Sequence, residues 1–386
     1  MINAKNSKEN ILKKMQSVII TFLGNAYHDS RVVNLIESLS AIDYNVKTIS
    51  FDWKTKGFKT QIGNTSVYKL DKSKSSFSFY LKFFSTLVKF LLKNKAGIYF
   101  AEDIYTLPVV YFFAKKNNAK VFYNSREIYA HLAGLRNKSF VQSIISRIER
   151  KFIYKVNAVF VTGSMDKDFL KDAYGITNII VVRNLPKYQK EIKPVDLKIK
   201  LGIPSRAKII LYQGVVLEGR GIMYLINILD KIKDAHFVIV GNGEFKKKFQ
   251  DETQKTKVKD RVHFIGAVPH NNLLNYTAAA DIGVALIENI SISYYYALPN
   301  KLFEYIMSGV PVLASKLPQM EKIIADYRVG ECVDMNNEIE VIKVLSNMLS
   351  DETTLKEFSE NCLKAAIELN WEKEFEKIKI LMQNNN

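Results

Sequence analysis

Short apolar runs alternate along the chain with longer stretches whose apolar residues recur every three or four positions. Val18–Leu23 is the first run of strand length. Ser30–Ser40 follows with Val32, Val33, Leu35, Ile36 and Leu39 at helical spacing, and Val46–Phe51 returns to strand character. Gly97–Ala101, Lys120–Asn124, Ala158–Thr162 and Ile179–Val182 continue the series. A second series opens after Pro194 and Pro204 with Ile209–Gln213, His236–Val240, Val262–Ile265, Ile282–Leu286 and Val312–Ala314. Helical patterns fit between them. Parallel neighbours need a crossover helix where antiparallel ones need only a tight turn, so the alternation predicts an α/β chain with parallel strands.

Two successive series predict two Rossmann-like domains, residues 1–190 and 191–370, joined near 185–205. The terminal stretch Trp371–Met382 carries Trp371, Phe375, Ile378 and Leu381 on one helical face. At 386 residues the chain is too long for one ordinary core and sufficient for two.

Composition removes several classes. A hydrophobic content of 47% with 25% charged residues is that of a globular protein rather than a disordered one. Cys332 and Cys362 are too few and too far apart for a disulfide framework or a metal-ligand spacing. His28, His131, His236, His263 and His270 form no paired motif, so no metal site is expected. Phe77–Leu92 is the longest apolar stretch, but Lys82 and Lys89 interrupt it and it is too short to span a bilayer. Val18–Leu23 lacks a small-residue cleavage site, which predicts no signal peptide and a cytoplasmic location.

The net charge of +17 is unevenly placed. Residues 1–190 hold 31 Lys and Arg against 13 Asp and Glu, whereas the remainder is close to neutral. That asymmetry predicts that the first half meets something anionic: lipid, a phosphate-bearing acceptor or nucleic acid. No nucleic-acid recognition motif accompanies it, so a nucleic-acid partner is not expected. Phe77–Leu92 reads either as a helix packed on the first core with a solvated lysine edge, or as an interfacial helix on anionic lipid.

In parallel sheets, ligands sit beyond the carboxyl ends of the strands, so chemistry is sought in the turns at those ends. After Ile209–Gln213 comes Gly214-Val215-Val216-Leu217-Glu218-Gly219-Arg220-Gly221. Its glycines allow close backbone approach, and Arg220 is a permanent cation suited to phosphate. A plain tight turn with an exposed arginine fits the same spacing. Gly241-Asn242-Gly243 comes after the next strand and is equally a simple strand-to-helix turn. In Leu298–Tyr305, Pro299 fits a helix start, with Lys301 in the first turn and Glu304 one turn on. A lysine there opposes the helix dipole unless an anion is bound, and Glu304 lies among Leu302, Phe303, Ile306 and Met307, where an ion needs a partner. An amphipathic helix with an internal Lys301–Glu304 pair is the simpler alternative.

The run Leu298–Ser315 (LPNKLFEYIMSGVPVLAS) resembles the donor-site signature of glycosyltransferase family 4, retaining enzymes of the GT-B fold. Asp29-Ser30-Arg31-Val32 resembles that family's first-loop Asp-Xaa-Arg-Val, and Tyr123–Glu127 its Asp-Ser-His-Glu segment. Glu149-Arg150, Ala158–Ser164, Arg183–Pro186, Gly219–Gly221, Gly241–Gly243 and Phe264–Gly266 extend the likeness over almost the whole chain. The resemblance implies two Rossmann-like domains facing each other across a cleft, with the terminal helix 371–386 packing back on the first. Glu304 would bind the nucleotide's ribose, with Asn300, Gly241 and Gly243 also on the donor. Arg220 and Lys301 would act as the electrostatic catalysts on the leaving diphosphate. His28, Asp29, Arg31 and Glu127 would line the acceptor side. Tyr296, Val215 and Arg126 stand where many members carry glutamate, arginine and histidine.

The activity implied is metal-independent transfer, with retention, of a sugar from a UDP- or GDP-sugar to a lipid-linked or polysaccharide precursor of a bacterial surface glycan. No cofactor beyond that substrate is implied, and the basic half suggests peripheral association with the inner membrane face. A nucleotide-sugar epimerase of the same fold and a non-catalytic donor-binding homologue are the alternatives.

Overall fold

A computed structural model describes residues 16–53, 61–73, 75–135 and 137–384. The Lys-rich start of the chain and the last two asparagines lie outside the described residues. Two compact units emerge: Met1–Asn184 with Lys377–Asn386, and Leu185–Glu376.

The first unit contains strands β1 (Ser17–Phe22), β2 (Asn45–Asp52), β3 (Gln61–Ile62), β4 (Thr65–Lys69), β5 (Ile98–Ala101), β6 (Lys120–Ser125), β7 (Ala158–Val161) and β8 (Ile179–Val181). They form one sheet in the order β3-β4-β2-β1-β5-β6-β7-β8. All pairings are parallel except that of β3 with β4. Its central strands are buried on both faces, as expected for parallel strands covered by helices. Asp29 starts the Ser30–Ala41 helix by accepting the Val32 N–H at 3.0 Å.

The second unit contains β9 (Lys208–Gln213), β10 (Ala235–Val240), β11 (Val262–Gly266), β12 (Ile282–Ala285), β13 (Val312–Ser315) and β14 (Gly330–Val333). Their order is β11-β10-β9-β12-β13-β14, all parallel. The order reverses between β9 and β12, which places a crevice at their carboxyl ends.

Three strands escape the periodicity. β3 and β4 lie at an edge and are polar, and β14 (Gly-Glu-Cys-Val) is too short to show alternation. The first unit closes at Asn184 rather than residue 190, because Leu185 is already part of the second core. The terminal helix Trp371–Asn384 is divided. Trp371 donates its N–H to the Pro186 carbonyl at 2.9 Å, whereas the chain from Lys377 belongs to the first unit. There Lys377 reaches the Val181 carbonyl and Lys120 that of Met382.

The stretch Phe77–Leu92 is the core of a Ser76–Lys93 helix. Phe79, Phe83, Leu87 and Leu91 form its buried stripe, while Phe77 is 78%, Leu81 58% and Leu92 59% exposed. The helix therefore both packs on the sheet and leaves apolar residues open.

Candidate active site

The loop after β9 and the turn after β10 are laced together. Gly214 donates to the Val240 carbonyl at 3.0 Å, and Val216 to that of Asn242 at 3.0 Å. A Cβ on Gly241 would overlap the Gly214 carbonyl oxygen, and one on Gly243 that of Val216. Gly241 also has φ +149°, in the region that favours glycine. Both glycines are thus required for one loop to close on the other.

Further along the same loop, Glu288 donates its N–H to the Gly219 carbonyl at 3.1 Å. The Arg220 guanidinium lies 4.6 Å from the Tyr294 ring centroid. The loop thereby holds its arginine over an aromatic face at the carboxyl end of the sheet.

Pro299 is the residue before the Asn300–Met307 helix rather than its first turn, and Asn300 is exposed at the opening position. Lys301 is only 7% exposed. Its ammonium sits 3.5 Å above the Tyr212 ring, and among the described residues no hydrogen-bond acceptor meets it. Burial pushes this ammonium well below the ordinary lysine range; the charge of Arg220 adds to the effect and Glu304 opposes it. Tyr212 is fixed in turn by donating its hydroxyl to the Val215 carbonyl at 2.7 Å. Two cations and a helix N-terminus thus meet, and among the described residues the Lys301 ammonium has no hydrogen-bonding partner.

The internal Lys301–Glu304 hydrogen bond that the sequence left open is not made. Glu304 is half-buried and accepts instead from Gln213 Nε2. Thr277 Oγ1 lies 2.6 Å from Gln213 Oε1, which orients the amide nitrogen toward the carboxylate. Burial raises the Glu304 carboxyl, while Gln213, His270 and Lys301 pull it back. Tyr305 anchors this helix at the sheet's reversal point. Its hydroxyl lies 3.0 Å from the Leu211 carbonyl and accepts the Gln213 N–H at 3.2 Å. Sequence reasoning missed Tyr212, Gln213 and Thr277. Gln213, a polar residue ending an apolar strand, was the one visible signal.

In the first unit, Asp29 and Arg126 come together. Arg126 Nη1 and Nη2 hold Asp29 at 2.6 and 2.9 Å, and Nη2 also reaches Glu102 at 2.9 Å. Asn124 Nδ2 donates to the same Glu102 oxygen at 2.9 Å. Burial alone would raise the Asp29 carboxyl, but Arg126 outweighs it and Arg31 helps, so the group is held below its usual range. Arg31 is buried, whereas His28 and Glu127 are exposed. Next to Glu102, Asp103 accepts from the Leu23 and Thr106 N–H groups at 2.6 and 2.8 Å, and burial pushes its carboxyl up to about 6. Glu102 and Asp103 come directly after β5 and were not singled out from sequence.

Among the described residues no three His, Cys, Asp or Glu side chains are arranged to hold a metal ion.

Residues 196–365 match the family described as glycosyl transferases group 1. An uncharacterized glycosyltransferase of Methanocaldococcus jannaschii is 26% identical over 160 residues, 41% of this chain and 40% of that protein. Among solved structures, sucrose-phosphate synthase from Thermosynechococcus elongatus superposes with a TM-score of 0.79 at 17% identity, covering 95% of this chain and 98% of that one. HepE of Anabaena, solved with UDP, gives 0.70 at 13% identity over 94% and 98%. WaaG, a glycosyltransferase involved in lipopolysaccharide biosynthesis, gives 0.70 at 15% over 95% and 100%. The fold is therefore that of the GT-B glycosyltransferases.

Proposed function

We propose that the protein is a glycosyltransferase whose second unit holds a nucleotide-sugar donor, the diphosphate lying at Arg220, Lys301 and the opening turn of the Asn300–Met307 helix. One observation carries the reading: the Lys301 ammonium is buried without a hydrogen-bonding partner. An isolated buried cation is costly, and a phosphate anion would supply the missing counterion. The match of residues 196–365 to the family, and a neighbour solved with UDP-glucose, point the same way. Glu304, held by Gln213, would take the ribose hydroxyls, and Gly241 and Gly243 would shape the loops around the nucleotide.

In this mechanism the sugar–phosphate bond breaks with charge growing on the leaving diphosphate. Fixed cations and the helix dipole stabilise that charge without reorganising. We assign the transfer to protein cations rather than to a metal, with the acceptor entering on the face the diphosphate leaves. That route retains the anomeric configuration, and the departing phosphate takes the acceptor proton. Asp29, Arg31, His28 and Glu127 would serve the acceptor in the first unit.

A lipid-linked or polysaccharide acceptor at an inner membrane face fits the excess positive charge of residues 1–190 and the open apolar side chains of the Ser76–Lys93 helix. Phe140, on the Ser139–Ile153 helix, is also 76% exposed. No helix among the described residues is long and apolar enough to cross a membrane. Sedimentation with anionic liposomes at low salt tests this part; a protein left in the supernatant would refute it.

Thermal melting with UDP, GDP and their sugars tests the donor assignment. At about 100 times the dissociation constant, the true ligand stabilises by about 2.7 kcal/mol. Product analysis with and without acceptor then separates transfer from epimerisation. No shift with any nucleotide would remove the proposal.

A further inference from the structure

The loops after β12, β13 and β14 enclose a cavity of about 550 Å³ that has no part in the donor assignment. It lies wholly within the second unit and falls in the usual range of small-ligand pockets, about 300–1,000 Å³. The loops are fixed to one another. Ile287 donates its N–H to Ser315 Oγ at 2.7 Å, and Lys316 to the Val333 carbonyl at 2.8 Å.

The lining chemistry is selective. Glu288 and Asp334 bring carboxylates, Asn289 and Asn336 bring amides, and Tyr224 and Tyr295 bring phenol rings. Lys316 is the cation of the lining, and it lies 3.8 Å from Glu321. Asp334 Oδ1 accepts from the Asn336 N–H and Nδ2, both at 2.9 Å, while Oδ2 has no hydrogen bond among the described residues. The Tyr224 hydroxyl is shielded from solvent and has no hydrogen-bond partner among the described residues.

Carboxylates outnumbering cations disfavour a phosphate. Carboxylates that accept and amides that both donate and accept, next to an aromatic ring, suit a neutral molecule with several hydroxyls and an apolar C–H face. We infer that this cavity is a second saccharide subsite, which takes a sugar of the glycan chain rather than the donor. The inference rests on the glycosyltransferase reading for its biological meaning, but not for its binding chemistry. Glu288 bonds to Gly219 next to Arg220, so the subsite and the proposed donor loop share one wall.

The test uses the full chain with maltose, lactose and chitobiose as probes, read by saturation-transfer and ¹H–¹⁵N NMR, with UDP melting run in parallel. At least one disaccharide is expected to bind in the millimolar range and shift the amides of Asn289 and Asn336. Tyr224→Phe removes only the unpartnered hydroxyl. It is expected to leave the melting temperature unchanged or higher and to weaken the disaccharide about fivefold. Asn336→Ala is expected to weaken it by a similar factor, and UDP affinity should stay within about twofold in both variants.

No binding by any of the three sugars, or unaltered binding in both variants, overturns the inference. So does competition of UDP with the disaccharide, which would make the cavity part of the donor site. If UDP fails to bind the parent protein while a disaccharide binds in this cavity, the donor reading falls and the subsite stands.

Discussion

Replacing Lys301 by methionine separates a structural lysine from one kept for a ligand. The ammonium is buried against Tyr212 with Arg220 nearby, and no carboxylate pairs with it directly. Methionine preserves most of the volume and removes the charge. Exchanging buried ionic groups for apolar ones is often neutral or stabilising, by roughly 1–4 kcal/mol. The lost cation–π contact offsets up to about 2 kcal/mol of that. The net expectation lies between a loss of about 2 kcal/mol and a gain of about 4 kcal/mol. In a unit of this size, each 1 kcal/mol moves the melting temperature by about 2–4 °C.

Donor affinity falls. Truncating one partner of a buried charge pair costs about 2–5 kcal/mol, which weakens the diphosphate at least about 30-fold. The pH dependence adds a second signature. The lysine's folded pKa lies below its unfolded value, so the cost of burying its charge is present at low pH. That cost is relieved as pH rises between the two values. A bound anion restores the charged form, so binding takes up a proton and parental affinity falls as pH rises through that window. The variant should lack this slope. Urea melts and UDP titration calorimetry read both effects. A variant destabilised by more than about 2 kcal/mol that still binds UDP as before would show the lysine to be structural, and the reasoning would be wrong.

Glu304→Ala should reduce transfer at least tenfold, about 1.4 kcal/mol of transition-state stabilisation, in a radiolabelled-sugar assay; near-parental turnover would refute the ribose assignment. Gly243→Ala forces a Cβ into the Val216 carbonyl and should cost about 1–3 kcal/mol while weakening UDP, both visible in one ligand-dependent melt. Arg126→Ala takes the ion-pair partner from buried Glu102 and leaves it only the Asn124 amide, so a loss of about 3–5 kcal/mol in urea unfolding is expected. Asp29, with a lowered folded pKa, contributes stability at neutral pH that fades as pH falls below about 3.9; Arg126→Ala should flatten that acid limb. His236 Nδ1 and His263 Nε2 are 3.0 Å apart, and burial lowers both rings, so each prefers its neutral form. Stability should be full above about pH 6.5 and decline below it, and His263→Gln should remove part of the slope.

Local pattern determined much of this protein. The periodicity of apolar positions delivered the central strands of both sheets but not β3, β4 or β14, because buried parallel strands read as unbroken apolar runs. The Leu298–Ser315 signature marked the helix of Lys301 and Glu304 for the same reason: its residues are contiguous. Partners brought together by long-range contact could not be read from that pattern. Glu304 chooses Gln213, 91 positions away, over its neighbour Lys301, and Arg126 finds Asp29 across 97. The lysine's isolation above Tyr212 and the roles of Gly241 and Gly243 likewise depend on which loop the fold lays against which. Periodicity and turn chemistry are properties of the chain itself, whereas burial and partner choice belong to the packed sheet ends.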